Sequence, residues 1–110
     1  MATAEVELDI FSGRPNPTWA LTDSQTASLL EMLDGLPQTE SEPRPGDLGY
    51  RGMIVRLRGA KAREITVHTG VAAVNGGSHA DADRHVERWL LETGRPFLDP
   101  SIYDIVKAEL

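Results

Sequence analysis

Glu5-Val6-Glu7-Leu8-Asp9-Ile10 alternates acidic and apolar residues, the two-residue period of a half-buried strand. Val6, Leu8 and Ile10 are expected to face the core, with Glu5, Glu7, Asp9 and Phe11 on the opposite face. Tyr50–Arg58 repeats the period with Met53, Val55 and Leu57 inward, and Arg63–Thr69 does so with Ile65 and Val67. Pairing Leu57 with Ile65 brings the two apolar faces together and sets Arg58 opposite Glu64. Gly70 marks a bend, with Val71–Val74 extending the third strand and Asn75-Gly76-Gly77 forming a turn.

Three segments carry the helical period instead. Thr22 and Gln25 form a capping-box pattern ahead of a helix that runs to about Asp34, with Gly35 as its stop. Its predicted buried stripe is Ala27, Leu30 and Leu33, widened by Leu29. Ser78 opens a second helix, with Asp81 as its capping partner and Ala82, Val86, Trp89, Leu90 and Thr93 on one face up to Gly94. Asp99-Pro100 starts the last helix, Leu98 and Tyr103 standing where a hydrophobic staple would sit and Ile102, Ile105, Val106 and Leu110 facing inward.

The order β-α-β-β-α-α predicts one α+β domain over residues 1–110: a single small layer of about three strands with the helices packed on one face. If the first two strands are neighbours, they are expected to be parallel, with a right-handed crossover through the first helix. Residues 37–49 are rich in Pro and Glu and nearly devoid of apolar side chains, which predicts a mobile loop or a lid.

Between the first strand and the first helix lies Phe-Ser-Gly-Arg-Pro-Asn-Pro-Thr-Trp, residues 11–19. Pro15 and Pro17 fix φ and push Arg14 and Asn16 towards extended geometry, while Gly13 permits conformations closed to other residues. The predicted result is a stiff ridge displaying Arg14 and Asn16 between the apolar anchors Phe11 and Trp19. Such a ridge loses little entropy on binding. Beside it, the uncovered face of the sheet is expected to carry Tyr50, Ile54 and His68 among paired charges, a patch suited to a partner protein or a ring-bearing ligand.

Composition narrows the chemistry. The chain of 110 residues has no cysteine, which excludes thiolate metal sites, disulfides and cysteine nucleophiles. A net charge of −6 speaks against non-specific nucleic-acid binding. No apolar run is long enough for a membrane span, and the first residues lack the basic and apolar regions of a signal peptide, so a cytoplasmic location is expected. Nothing in the sequence demands a cofactor. His79, Asp81 and His85 form a cluster of imidazole and carboxylate groups that could bind a divalent metal, Asp81 and His85 sharing a helix face. The cluster matches no established metal-binding spacing, and acids in a first helical turn also favour the helix dipole.

The functional expectation is a small soluble binding or protein-interaction domain. Phe11, Arg14, Asn16, Trp19 and Tyr50 are its contact residues, and a second copy of the chain is the simplest partner. The competing expectation is a small metabolite enzyme using His68 as general base or a metal in the 79–85 segment.

Overall fold

A computed structural model describes residues 3–11, 13–41, 49–59, 63–74 and 77–110. The chain runs β1 (Thr3–Leu8), β2 (Thr18–Ala20), α1 (Asp23–Asp34), β3 (Met53–Arg58), β4 (Arg63–His68), β5 (Val71–Val74), β6 (Gly77–Ala80), α2 (His85–Gly94) and α3 (Pro100–Glu109), with a 3-10 turn at Ala82–Arg84. The protein is α+β, but its sheet has six strands in the order β2-β1-β3-β4-β5-β6, not three. Every adjacent pair is antiparallel.

The extra strands arise where local signals are weak. β2 is only three residues long, and its pairing with Glu5–Glu7 is a tertiary event that the prolines before it conceal. By turning back at the ridge, β1 and β2 form an antiparallel hairpin. After α1, the chain re-enters on the other side of β1 as β3, also antiparallel, so the expected parallel crossover is absent. β5 is a strand of its own because Thr69 and Gly70 both have positive φ, 51° and 81°, as a two-residue hairpin turn requires. Gly77–Ala80 is a strand, not the opening of a helix: it pairs with β5, and residues 37–39 line its outer edge, where Ala80 N–H donates to Pro37 O at 2.8 Å and Thr39 N–H to Ser78 O at 3.0 Å. Residues 42–48 of the predicted loop lie outside the described residues.

The hydrophobic period sets the two faces. Val6, Leu8, Met53, Val55, Ile65, Val67 and Ala72 are fully buried, and all share one side of the sheet. They form one core with Leu29 and Leu33 of α1, Val86, Leu90 and Leu91 of α2, and Tyr103 and Val106 of α3. The helices therefore cover that side. The β3–β4 register is Val55 with Ile65 and Arg56 with Glu64, two residues from the predicted pairing. A shift of two preserves which face each side chain occupies, which is why periodicity alone did not fix it.

Caps at two helix starts follow the sequence. Thr22 Oγ1 accepts from Gln25 N–H at 3.0 Å and Gln25 Oε1 accepts from Thr22 N–H at 2.9 Å. Asp99 caps α3 by accepting from Ser101 N–H at 2.9 Å. The α1 stripe is rotated slightly from expectation: Thr26, Leu29 and Leu33 are buried and Ala27 is exposed. In α3, Ile105 faces solvent and Tyr103 is buried instead. Among the described residues, no helix is long and apolar enough to cross a membrane.

Candidate functional site

Two polar constellations stand out, one at the ridge and one inside the molecule. At the ridge, Asn16 is the pin. Its Oδ1 accepts from the backbone N–H groups of Ile10 and Phe11 at 3.1 and 2.8 Å, and its Nδ2 donates to Glu7 at 2.8 Å and Asp9 at 3.3 Å. Arg51 closes the other side, donating to Asp9 Oδ1 at 2.8 Å and to Phe11 O at 2.7 Å. The hydrogen bond from Asn16, then that from Arg56, holds the Glu7 carboxyl below its ordinary range. What remains displayed is Arg14, exposed, with its guanidinium carbon 3.7 Å from the centre of the Phe11 ring. No ion pair engages Arg14 among the described residues. Gly13, at φ 86°, makes the bend before it.

Glu7 joins this ridge to the sheet face opposite the helices. It starts a cross-strand row that continues through Ile54, Thr66, Ala73 and Ser78, all half-buried and uncharged. The next row is Glu5, Arg56 and Glu64, where Arg56 pairs with Glu7 at 2.7 Å and Glu64 at 3.4 Å.

Asn16→Asp tests the pin. The change keeps the oxygen that caps Ile10 and Phe11 but exchanges a donor for a third carboxylate beside Glu7 and Asp9. At neutral pH it should destabilise by about 1–3 kcal/mol, the penalty for an unmatched polar group. The loss should shrink below about pH 4 as the carboxylates protonate. Thermal melts at pH 7 and pH 3.5 read both.

The second constellation is built around Glu87, which is 0% exposed. Its Oε2 accepts from the Tyr50 hydroxyl and from Arg84 Nη2 at 2.8 Å, and lies 3.1 Å from His68 Nδ1. Its Oε1 accepts from Arg84 Nε at 2.8 Å. Because an ionised carboxylate only accepts, His68 is satisfied as the tautomer that donates from Nδ1. Arg84 Nη1 also donates to Glu109 O at 3.0 Å, tying the end of α3 into the same knot. Burial alone would push the Glu87 carboxyl up, but the bonds from Arg84, Tyr50 and His68 outweigh it and leave it below its ordinary range. Burial and the Glu87 carboxylate together push the Tyr50 hydroxyl well above its usual range, so Tyr50 remains a donor throughout.

No protein-family model, curated protein or solved structure matches this chain.

Backbone strain collects around the Glu87 knot. Thr69, Asp83 and Arg84 are the non-glycine residues with positive φ among those described, at 51°, 56° and 54°. Each such residue costs about 1–2 kcal/mol. Thr69 follows His68, and Asp83-Arg84 leads into α2, so the carboxylate fork holds the left-handed entry in place. Gly52, at φ 113°, lets β3 pass close to His68: a Cβ there would stand 2.8 Å from the His68 Cβ.

The structure disperses several residues that the sequence grouped together. Tyr50 and His68 were expected on the uncovered face but are 1% and 5% exposed, turned against α2 with their rings 5.1 Å apart, edge to face. Trp19 is buried under α2, where its Nε1 donates to Thr93 Oγ1 at 3.0 Å. Asp81 spends both carboxylate oxygens on the N–H groups of Val86 and Glu87, at 2.8 and 3.2 Å, so the cap of α2 is Asp81 itself. His79 sits in β6 opposite Ala72, its Nδ1 buried with no partner among the described residues, and His85 is exposed. Among the described residues, no group of three or more His, Cys, Asp or Glu side chains is placed to hold a metal.

Glu87 and Arg84 were missed by sequence reasoning. One signal was available: Glu87 falls within the apolar stripe Val86, Leu90, Leu91 and Gly94, where a lone acid is expected only if it is paired.

Proposed function

We propose that this protein is a non-catalytic binding domain that takes a carboxylate-bearing protein partner on the Arg14–Phe11 stack and the adjoining neutral row of the sheet. The observation that carries this reading is the Asn16 pin, which fixes the ridge from beneath and leaves the Arg14 guanidinium displayed without an ion pair among the described residues. A guanidinium held over an aromatic ring is already ordered, so little entropy is lost when it meets a carboxylate. The row from Ile54 to Ser78 beside it has no charge to desolvate.

In this reading Asn16 and Trp19 build the site, and Phe11 and Arg14 make the contact. The enzyme alternative has less support: Glu87 has its oxygens engaged by Tyr50, His68 and Arg84, and His68 is nearly enclosed. A fully satisfied buried knot of this kind fixes structure.

NMR titration with a short glutamate-rich peptide tests the proposal. Amide shifts should cluster at Phe11, Arg14, Ile54 and Thr66. Arg14→Ala should weaken binding by about fivefold or more, the loss of one charge-assisted pair, with the melting temperature unchanged. Self-association through the same row would appear as concentration-dependent shifts without peptide. Unfolding of Arg14→Ala, or shifts scattered away from the ridge, would remove the basis for the reading.

A further inference from the structure

The chain closes one edge of its sheet and leaves the other open. Along β6, Ala80 N–H donates to Pro37 O at 2.8 Å and Thr39 N–H to Ser78 O at 3.0 Å. β2, at the opposite edge, has no such cover among the described residues. Its pairing with β1 fixes which groups stay open. Leu21 N–H donates to Ala4 O and Leu8 N–H to Pro17 O, both at 2.9 Å, so Trp19 is the β2 residue that shares its backbone bonds with Val6. Thr18 and Ala20 lie on either side of it, both exposed, and their N–H and C=O groups point away from β1. An unpaired edge of this kind is a template for another strand.

An apolar side chain and an ordered pair of charges flank this edge. α2 crosses the sheet from β4, where Glu87 meets His68, to β2, where Gly94 lies against the Trp19 ring. The turn that follows α2 therefore stands beside β2. In it, Phe97 N–H donates to Gly94 O at 2.9 Å, and the Phe97 side chain is 66% exposed. Along the strand, Arg14 precedes β2 and Asp23 follows it as the first residue of α1. Both are exposed, and neither has an ion pair among the described residues. An antiparallel second copy brings the Arg14 end of each β2 to the Asp23 end of the other, whereas a parallel one sets like charges side by side.

We propose that the β2 edge pairs with the β2 edge of a second copy, antiparallel about a two-fold axis at Trp19. Thr18 of each protomer then stands opposite Ala20 of the other and exchanges both N–H···O bonds with it. The Phe97 rings flank the junction on the helix side and lose exposed apolar surface. Exposed ion pairs add little energy, so Arg14 and Asp23 set the direction, while the hydrogen-bonded edge and Phe97 supply the hold. Because residues 37–39 already close the β6 edge, the assembly stops at the dimer. This surface goes beyond the ridge reading: it shares Arg14 with that site but not the row from Ile54 to Ser78.

Sedimentation of the whole chain across the micromolar range tests the pairing and should show a monomer–dimer equilibrium. Ala20→Pro removes an outward N–H and leaves the Val6–Trp19 pair in place, so it should weaken the dimer by about tenfold or more. Phe97→Ser should weaken it as well. Asp23→Lys should weaken it by about fivefold, and Arg14→Glu combined with Asp23→Lys should restore it, because the pair is rebuilt with its signs exchanged. Melting temperatures at a concentration where the wild type is monomeric report folding separately from association. The glutamate-rich peptide should still shift Ile54 and Thr66 in Ala20→Pro, so the dimer and the ridge reading fail independently. A wild type that stays monomeric, a dimer indifferent to both Ala20→Pro and Phe97→Ser, or a charge exchange that does not recover the dimer would overturn the proposal.

Discussion

Glu87→Ala is expected to destabilise the protein by about 3–5 kcal/mol, the usual consequence of removing one partner from a buried charge pair. In a domain of this size that is a drop in melting temperature of at least about 12 °C. The change leaves the Arg84 guanidinium, the Tyr50 hydroxyl and His68 Nδ1 without their shared acceptor, and it releases the left-handed backbone at Arg84. Glu87→Gln should be milder, because an amide oxygen still accepts from some of these donors.

The pair also predicts a pH signature. The folded-state pKa of Glu87 is lowered, so its contribution is complete above the unfolded value of about 4.5 and is lost as pH falls through the folded value. The melting-temperature gap between wild type and Glu87→Gln should therefore be level from pH 7 to about pH 5 and close below about pH 4. A gap that is absent at pH 7, or that widens in acid, would show that the ionised carboxylate adds no stability beyond that of an amide in its place.

Trp19→Ala is expected to cost about 3–5 kcal/mol, the range for deleting a buried indole. The ring fills the space over Gly94 and anchors β2 to α2 through Thr93. Gly94 makes this specific. A Cβ at that position would stand 2.6 and 2.7 Å from Cε2 and Cη2 of Trp19, so Gly94→Ala forces the indole out of place. Alanine gains about 1 kcal/mol of helix propensity over glycine, but overpacking costs about 1–3 kcal/mol, and the clash wins. In the Trp19→Ala background the clash is gone and only the propensity remains. Gly94→Ala should then stabilise. A change of sign in this double-mutant cycle places Trp19 in the core, whereas additive effects would place it elsewhere.

The sequence determined the parts of this protein that depend on near neighbours. The alternation in Glu5–Ile10, Met53–Leu57 and Glu64–Val67 placed Val6, Leu8, Met53, Val55, Ile65 and Val67 inward, because side chains in a strand alternate whatever the strand pairs with. The capping box at Thr22 and the Asp99-Pro100 start lie within four residues of what they cap, so they too were legible.

Tertiary structure decided the rest. Six strands replaced three because β2 and β6 are three and four residues long and are strands only by virtue of the partners beside them, and because the turn at Thr69-Gly70 makes β5 a strand of its own. A Ser-His-Ala stretch that can begin a helix instead became the last strand of the sheet, since β5 and residues 37–39 offered its backbone hydrogen bonds on both sides. The register of β3 against β4 was open to a shift of two, which no face pattern detects. Asn16 became a pin once β1 brought Glu7 and Asp9 beneath it. The knot of Tyr50, His68, Arg84 and Glu87 gathers residues from three separate elements and the loop before β3. Their pairing was invisible along the chain because a buried charge is defined by what surrounds it, and only folding supplies those surroundings.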